Sequence, residues 1–370
     1  MITAAGIILA GGNNERLGNL TAERATSAMP VASCYRAIDF TLSNMTNSGI
    51  KKVAVITQYN SRSLRDHLSS SKWWDFGRKK GGLFIFSPFT SKDGSMWFRG
   101  TADSMYQNMA FLRRSNEKYI VIVNGNGIYK MDYSKMVDYH VEKNADITIA
   151  YTNLKNEDSS KMGMIKVDNS DLVTEFEEKP LDSSLSQVSL GIYVIERTLL
   201  IRLIEDAIER GDFDFVRDIL VRHIKSHKVC GYEFDGYWNA ISSIESYYNI
   251  NMDFLNKEIG DSFFASYPRI YTKPKDEPPV KHNIGAVVKN CIIGNGSILN
   301  GYVENSVLFR KVYTGDNSVI RRSIIMEGSY IGNNCVIEHA ILDKEVVVSD
   351  GKRVVGTPEE PFIVTKRSVI

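Results

Sequence analysis

Residues 319–337 read VIRRSIIMEGSYIGNNCVI, and Val319, Ile325, Ile331 and Ile337 recur in this stretch every six residues. Gly, Asn and Ser are interleaved with them. One apolar position per six residues predicts a left-handed parallel β-helix, in which short strands stack and bury a continuous core. Ile292 and Ile298 keep the same spacing further upstream, while Gly301 and Glu304 break it. The competing reading is a small antiparallel β domain with chance spacing.

Upstream of about residue 255 the pattern is different. Short β-rich runs at 6–10, 52–57, 119–123 and 145–151 alternate with amphipathic stretches at 61–68, 102–114 and 133–143. Such alternation predicts an α/β, Rossmann-like domain with a mixed, mostly parallel sheet covered by helices. The prolines of YTKPKDEPP, within 266–279, favour an extended connection. The expected organisation is therefore an α/β domain over 1–255, a linker over 256–284 and the β-helix over 285–370.

Composition excludes several classes of function. The chain has 370 residues, enough for two domains, with 43% hydrophobic and 24% charged residues. A formal net charge of +1 gives no electrostatic reason to expect nucleic acid or a membrane surface. Cys34, Cys230, Cys291 and Cys335 are scattered, which predicts reduced thiols and no zinc site. The short apolar stretch 4–10 lacks a preceding basic segment, and no apolar run approaches 18 residues. A cytoplasmic location is the expectation.

Residues 6–21, GIILAGGNNERLGNLT, describe a strand, a glycine turn and a polar loop. Gly11 and Gly12 would let backbone N–H groups approach a phosphate, and Arg16 could neutralise it. YRAIDFTLSNMTNSGI (35–50), VITQYNSRSL (55–64), WFRGTADSMYQN (97–108), IYKMDY (128–133), EEKP (177–180) and SLGIYVI (189–195) follow. In this order and spacing the segments closely resemble the glucose-1-phosphate adenylyltransferase (ADP-glucose pyrophosphorylase) family across essentially the whole chain. The resemblance implies a nucleotidyltransferase domain followed by a left-handed β-helix, usually in tetramers. It also implies magnesium-dependent transfer of AMP from ATP to glucose 1-phosphate, in glycogen or starch synthesis.

The departures from the family pattern are concentrated where phosphate and metal would sit. The family's GGxGTRL stands here as 11–17, with Asn14 for the third glycine and Glu15 for threonine. RAKPAVPFGGKYR becomes RATSAMPVASCYR: Thr26 replaces a lysine that would contact phosphate, and Cys34 replaces one associated with sugar-phosphate effectors. GDHIYKMDY and YWRDVGT become GNGIYKMDY and YWNAISS, so that Asn126 and Ala240 stand where two aspartates jointly hold magnesium. Magnesium is a hard ion that wants anionic oxygens, and neither side chain carries a charge. Asp132, six residues past Asn126, belongs to a motif that active members also keep.

What is retained, by the same resemblance, leans to the sugar and base: Lys179 for the sugar phosphate, Ser189 and Gly191 for the hexose, and Asp214 with Phe215 in the sugar region. Gln58, Gly100, Thr101, Ala102 and Asp103 match segments near the base. The resulting expectation is a non-catalytic or weakly active regulatory subunit. It resembles the divergent second subunit beside a catalytic one in glycogen synthesis of some Gram-positive bacteria. No catalytic residue, metal or cofactor is expected in this chain, with Mg2+ held by the catalytic partner in a hetero-oligomer, in the family's habit a tetramer. A sugar phosphate or nucleotide is the candidate ligand. The alternative is an active adenylyltransferase with an atypical metal site. A third reading, a β-helix acyltransferase or sugar-phosphate-binding scaffold, rests on His339 and His282 as candidate bases. SKWWDFGRKKGG (71–82) is expected to form a loop over the cleft, or else a surface connection with buried aromatics.

Overall fold

The computed structural model describes residues 3–12, 15–77, 81–88, 97–153 and 162–370. Ala4–Ala10, apolar throughout, forms the middle of a nine-stranded mixed sheet. It pairs in parallel with Lys52–Thr57 on one side and Tyr119–Asn124 on the other, and Gly82–Phe86 extends the parallel part. The long strand Gln187–Glu196 then runs antiparallel to Tyr119–Asn124 and to Ile147–Asn153. Buried on both faces, the central strands read as continuous apolar runs rather than alternations. Helices cover the sheet on two sides and divide the hydrophobic core into two layers. The helix anticipated over 102–114 is broken into Thr101–Gln107 and Met109–Arg113. At the break, the Asn108 amide donates to the Ser104 carbonyl (2.8 Å), a local bond that competes with helix continuation.

The carboxyl end of the chain is a three-sided parallel β-helix. Its stacked partners Tyr302, Val319, Val336 and Arg353 show that one turn takes 17 residues. Ile320, Ile325, Ile331 and Ile337 point inward and are fully buried, so the steps are five, six and six residues. The five-residue side shifts the phase that a strict six-residue period assumes. Val319 consequently faces outward, Ile298 is 37% exposed, and Ile292 packs outward against the other domain. Lys311, Gly328 and Glu345 recur at one corner with positive φ, as do Asn317, Asn334 and Gly351 at the next.

The connection between the domains is firmly packed. Lys257–Gly260 and Asp261–Ala265 are helical, Phe263 and Ile270 are buried, and Thr272 donates to Asp39 (2.6 Å). The first solenoid strand is Lys281–His282, which pairs with Ile298–Leu299. One face of the solenoid, carrying outward Val307, Ile324 and Ile341, shares a core with Leu17, Phe40, Tyr247 and Phe254 of the α/β domain. An ion pair between Arg24 and Asp343 (2.7 Å), both nearly inaccessible, crosses the same boundary. Among the described residues, no helix is long and apolar enough to cross a membrane.

Candidate functional site

A cleft of about 700 Å³ opens at the carboxyl ends of the parallel strands, where open α/β sheets place their ligands. Ala4–Ala10 leads into it through Gly11 and Gly12, and Lys52–Thr57 through Gln58. Tyr119–Asn124 delivers Asn124 and then Asn126. Gly191, at φ +68°, sits where Gln187–Glu196 shifts register against Ile147–Asn153, and this bulge turns Ser189 and Gly191 toward the cleft. A Cβ on Gly191 would lie 2.4 Å from the Asn124 side-chain nitrogen, so a larger residue here would have to displace that amide as well as adopt the left-handed backbone.

Of the residues singled out in the sequence, Gly11, Gly12, Arg16, Gln58, Gly100 and Thr101 line the cleft, as do Lys179, Ser189, Gly191 and Asp214. Asp103 does not. It is buried and accepts from the Arg99 backbone N–H (2.8 Å), the Arg99 guanidinium (3.0 Å) and Gln107 (2.9 Å). Its carboxylate therefore holds Arg99, and Arg99 is the lining residue. Gln58 likewise clasps the Phe98 backbone, accepting from its N–H at 2.8 Å. Asp214 caps the helical turn Phe215–Leu220 by accepting from Val216 and Arg217 N–H groups, and it also accepts from Thr101 (3.2 Å). Phe215 is a core residue against Tyr193. Glu15 is exposed and is not among the cleft-lining residues; Asn14 lies outside the described residues.

Asn126 and Ala240, distant in the sequence, meet across a two-stranded sheet in which Gly127–Tyr129 pairs with Trp238–Ala240 and Ala240 opposes Gly127. The Asn126 side-chain nitrogen donates to the Ile241 carbonyl (2.9 Å), and the Ile241 N–H donates to the Asn126 carbonyl (3.0 Å). A carboxylate could not make the first of these bonds. A hard divalent cation between these strands would want anionic oxygens, and the pair offers only the neutral side-chain oxygen of Asn126. Asp132 is turned to another task, capping Tyr133–Glu142 by accepting from Ser134. Among the described residues, no three His, Cys, Asp or Glu side chains gather as a metal cluster would require. The residues present do not fit such an ion.

Charge in the cleft comes from Arg16, Arg99 and Lys179 against Glu178 and Asp214. Burial pushes the Glu178 carboxyl up, an effect only partly offset by Lys179, whose Nζ is 3.4 Å away. Thr26 lines the cleft with a buried hydroxyl that has no hydrogen-bond partner among the described residues. The buried indole nitrogen of Trp238, another lining residue, likewise has none among them. Arg99, Glu178 and Trp238 were within reach of the sequence, each lying inside or beside a recognised motif.

A second cavity of about 160 Å³ lies between the domains and is lined by Cys34, Arg36, Lys275, Arg310, Glu327 and Lys344, among others. Burial lowers Lys344 to about 8, and Glu327 bridges Lys344 and Lys275. Burial raises the Cys34 thiol, which removes any reason to read it as a reactive thiolate. The described part of the tryptophan segment stays away from the main cleft. Trp74 is buried and its indole donates to the Tyr271 carbonyl (3.2 Å), so this is a connection with a buried aromatic anchor. Residues 78–80 lie outside the described residues. His282 is exposed, while His339 sits at a solenoid corner against the Tyr248 hydroxyl (3.1 Å). The two do not share either cavity.

Comparison with known proteins agrees with this architecture. The nucleotidyl transferase family matches residues 5–257, and the GlmU-like C-terminal hexapeptide family matches 279–369. A glucose-1-phosphate adenylyltransferase of Clostridium novyi is 39% identical over 317 residues, covering 85% of this chain and 83% of that protein. That of Mycoplasma mobile is 38% identical over 85% of this chain and 83% of its own length. That of Thermosipho africanus is 39% identical over 87% of this chain and 78% of its own.

Proposed function

Because the chain belongs to the glucose-1-phosphate adenylyltransferase family of nucleotidyl transferases, we propose that it is a regulatory subunit with absent or very low turnover of its own. It modulates a homologous catalytic chain that makes ADP-glucose from ATP and glucose 1-phosphate in glycogen synthesis, within a hetero-oligomer. The observation that carries this reading is the strand pair holding Asn126 and Ala240. There, an amide tied to a carbonyl and a methyl group stand where two carboxylates would anchor magnesium. Losing both carboxylates removes several kcal/mol of transition-state stabilisation, a rate loss on the order of a thousandfold or more.

Binding is a separate matter from turnover. Arg16, Arg99 and Lys179 keep the cleft attractive to a sugar phosphate or nucleotide. The Thr26 hydroxyl and Trp238 indole N–H, unpartnered among the described residues, are polar groups that such a ligand could satisfy. A ligand that favours one arrangement of the cleft would bias the assembly, and through it the catalytic partner. The test is ADP-glucose synthesis at saturating magnesium with this chain alone, a catalytic partner alone, and the two co-expressed. The expected result is silence from this chain together with raised activity of the partner. Strong turnover by this chain alone would overturn the reading.

A further inference from the structure

The strand pair that brings Asn126 to Ala240 also presents Trp238 and Ser242 to the cleft. Thr26 joins them, because its neighbour Ser27 has its hydroxyl 2.7 Å from where a Gly125 Cβ would stand. None of these side chains carries a charge. The carboxylates that do line the cleft, Glu178 and Asp214, are engaged elsewhere among the described residues. Lys179 lies 3.4 Å from Glu178, and Asp214 accepts from Val216, Arg217 and Thr101. A phosphate chelate of a divalent cation would bring its ion and water shell to a surface with no carboxylate to receive them.

A bare phosphate needs the opposite, a fixed positive charge, and Arg99 supplies one. Its guanidinium carbon lies 3.8 Å above the Phe213 ring, and Asp103 holds one edge at 3.0 Å. Asp103 is itself only 1% exposed, whereas the Arg99 side chain is 54% exposed and lines the cleft. The Phe213 carbonyl accepts the Ala102 N–H (2.8 Å), and a Cβ on Gly100 would stand 2.3 Å from that carbonyl, so the segment lies close against it. The same segment is joined to the glycine turn. Gln58 accepts the Phe98 N–H at 2.8 Å, and its Cβ is 3.2 Å from where a Gly11 Cβ would be. Arg99 is the next residue along, beside the turn whose backbone suits a phosphate. A guanidinium has five N–H donors, and one set in place beforehand loses little freedom when an anion docks.

We infer that the cleft binds nucleoside polyphosphates as the free anion, with Arg99 as the fixed counter-charge and Asp103 as its positioning residue. Mg2+ then competes with the protein for the phosphates, which inverts the magnesium requirement implied by the family resemblance. Chelation removes negative charge from the ligand and sets a second cation beside Arg99, and both effects oppose binding. The inference rests on the reading that this cleft still takes a phosphate ligand.

Calorimetric titration of the full chain with ATP tests it, in EDTA and in excess Mg2+ at equal ionic strength. Binding is expected in EDTA and should weaken ~10-fold or more in Mg2+, the scale of one charged hydrogen bond. Arg99→Gln should lose ~10-fold in EDTA and little in Mg2+. Asp103→Asn should show the same loss confined to EDTA, whereas a variant that merely misfolds would lose both alike. The inference is overturned by wild-type binding that Mg2+ strengthens or leaves unchanged, by no ATP binding in EDTA, or by an Arg99→Gln variant that keeps the wild-type preference. Binding strengthened by Mg2+ would sink this inference alone, since the regulatory reading falls to the turnover assay.

Discussion

Asn126 shows how a side chain that lines the cleft can be tied into the scaffold. Its nitrogen joins two strands by donating to the Ile241 carbonyl, so Asn126→Asp alone should destabilise the fold by about 1–3 kcal/mol, read as a lower unfolding midpoint in denaturant. The double variant Asn126→Asp with Ala240→Asp puts two carboxylates on neighbouring strands. Its Tm is expected to rise on addition of Mg2+ by more than that of wild type, since an ion that binds only the folded state stabilises it. At His140, burial lowers the imidazole from 6.5 to about 4, with Nδ1 2.8 Å from the Thr148 hydroxyl. Between those values the unfolded chain binds the extra proton and the folded chain does not. Stability should therefore fall as pH drops from about 6.5 toward 4, and His140→Gln should flatten that slope in a Tm-against-pH series. The Asn126–Ala240 pair was readable from motifs alone because both positions lie in fixed strings. Asp103 was not, because a carboxylate in a motif looks the same whether it faces a ligand or anchors the arginine that does.

At the scale of elements, the apolar alternation located the central strands well, since buried parallel strands are nearly uniform in character. The solenoid was legible as a six-residue rhythm, but its phase was not. Three outward rows are also apolar, and a five-residue side in every turn moves the buried position from Val319 to Ile320. The stretch between the domains is non-helical over 266–280, as its prolines announce, and the packing of Ile270 and the Thr272–Asp39 bond, which no local pattern encodes, fasten it to the α/β domain. The joint between Arg24 and Asp343 belongs to this scale too. Asp343→Ala leaves a buried guanidinium uncompensated and should destabilise the chain by about 3–5 kcal/mol in chemical unfolding, whereas adding Arg24→Met should recover most of that loss.

On the scale of the whole molecule, the solenoid braces the cleft-bearing domain, since one of its faces completes a core begun by Leu17, Leu20 and Phe40. That shared core has a consequence for how the protein is born. Residues near 20 wait for partners beyond 300, which a ribosome adding about 5–20 residues per second delivers only after roughly 15–60 s. During that interval the nascent amino-terminal half carries an uncovered apolar seam, a substrate for chaperones rather than a finished domain.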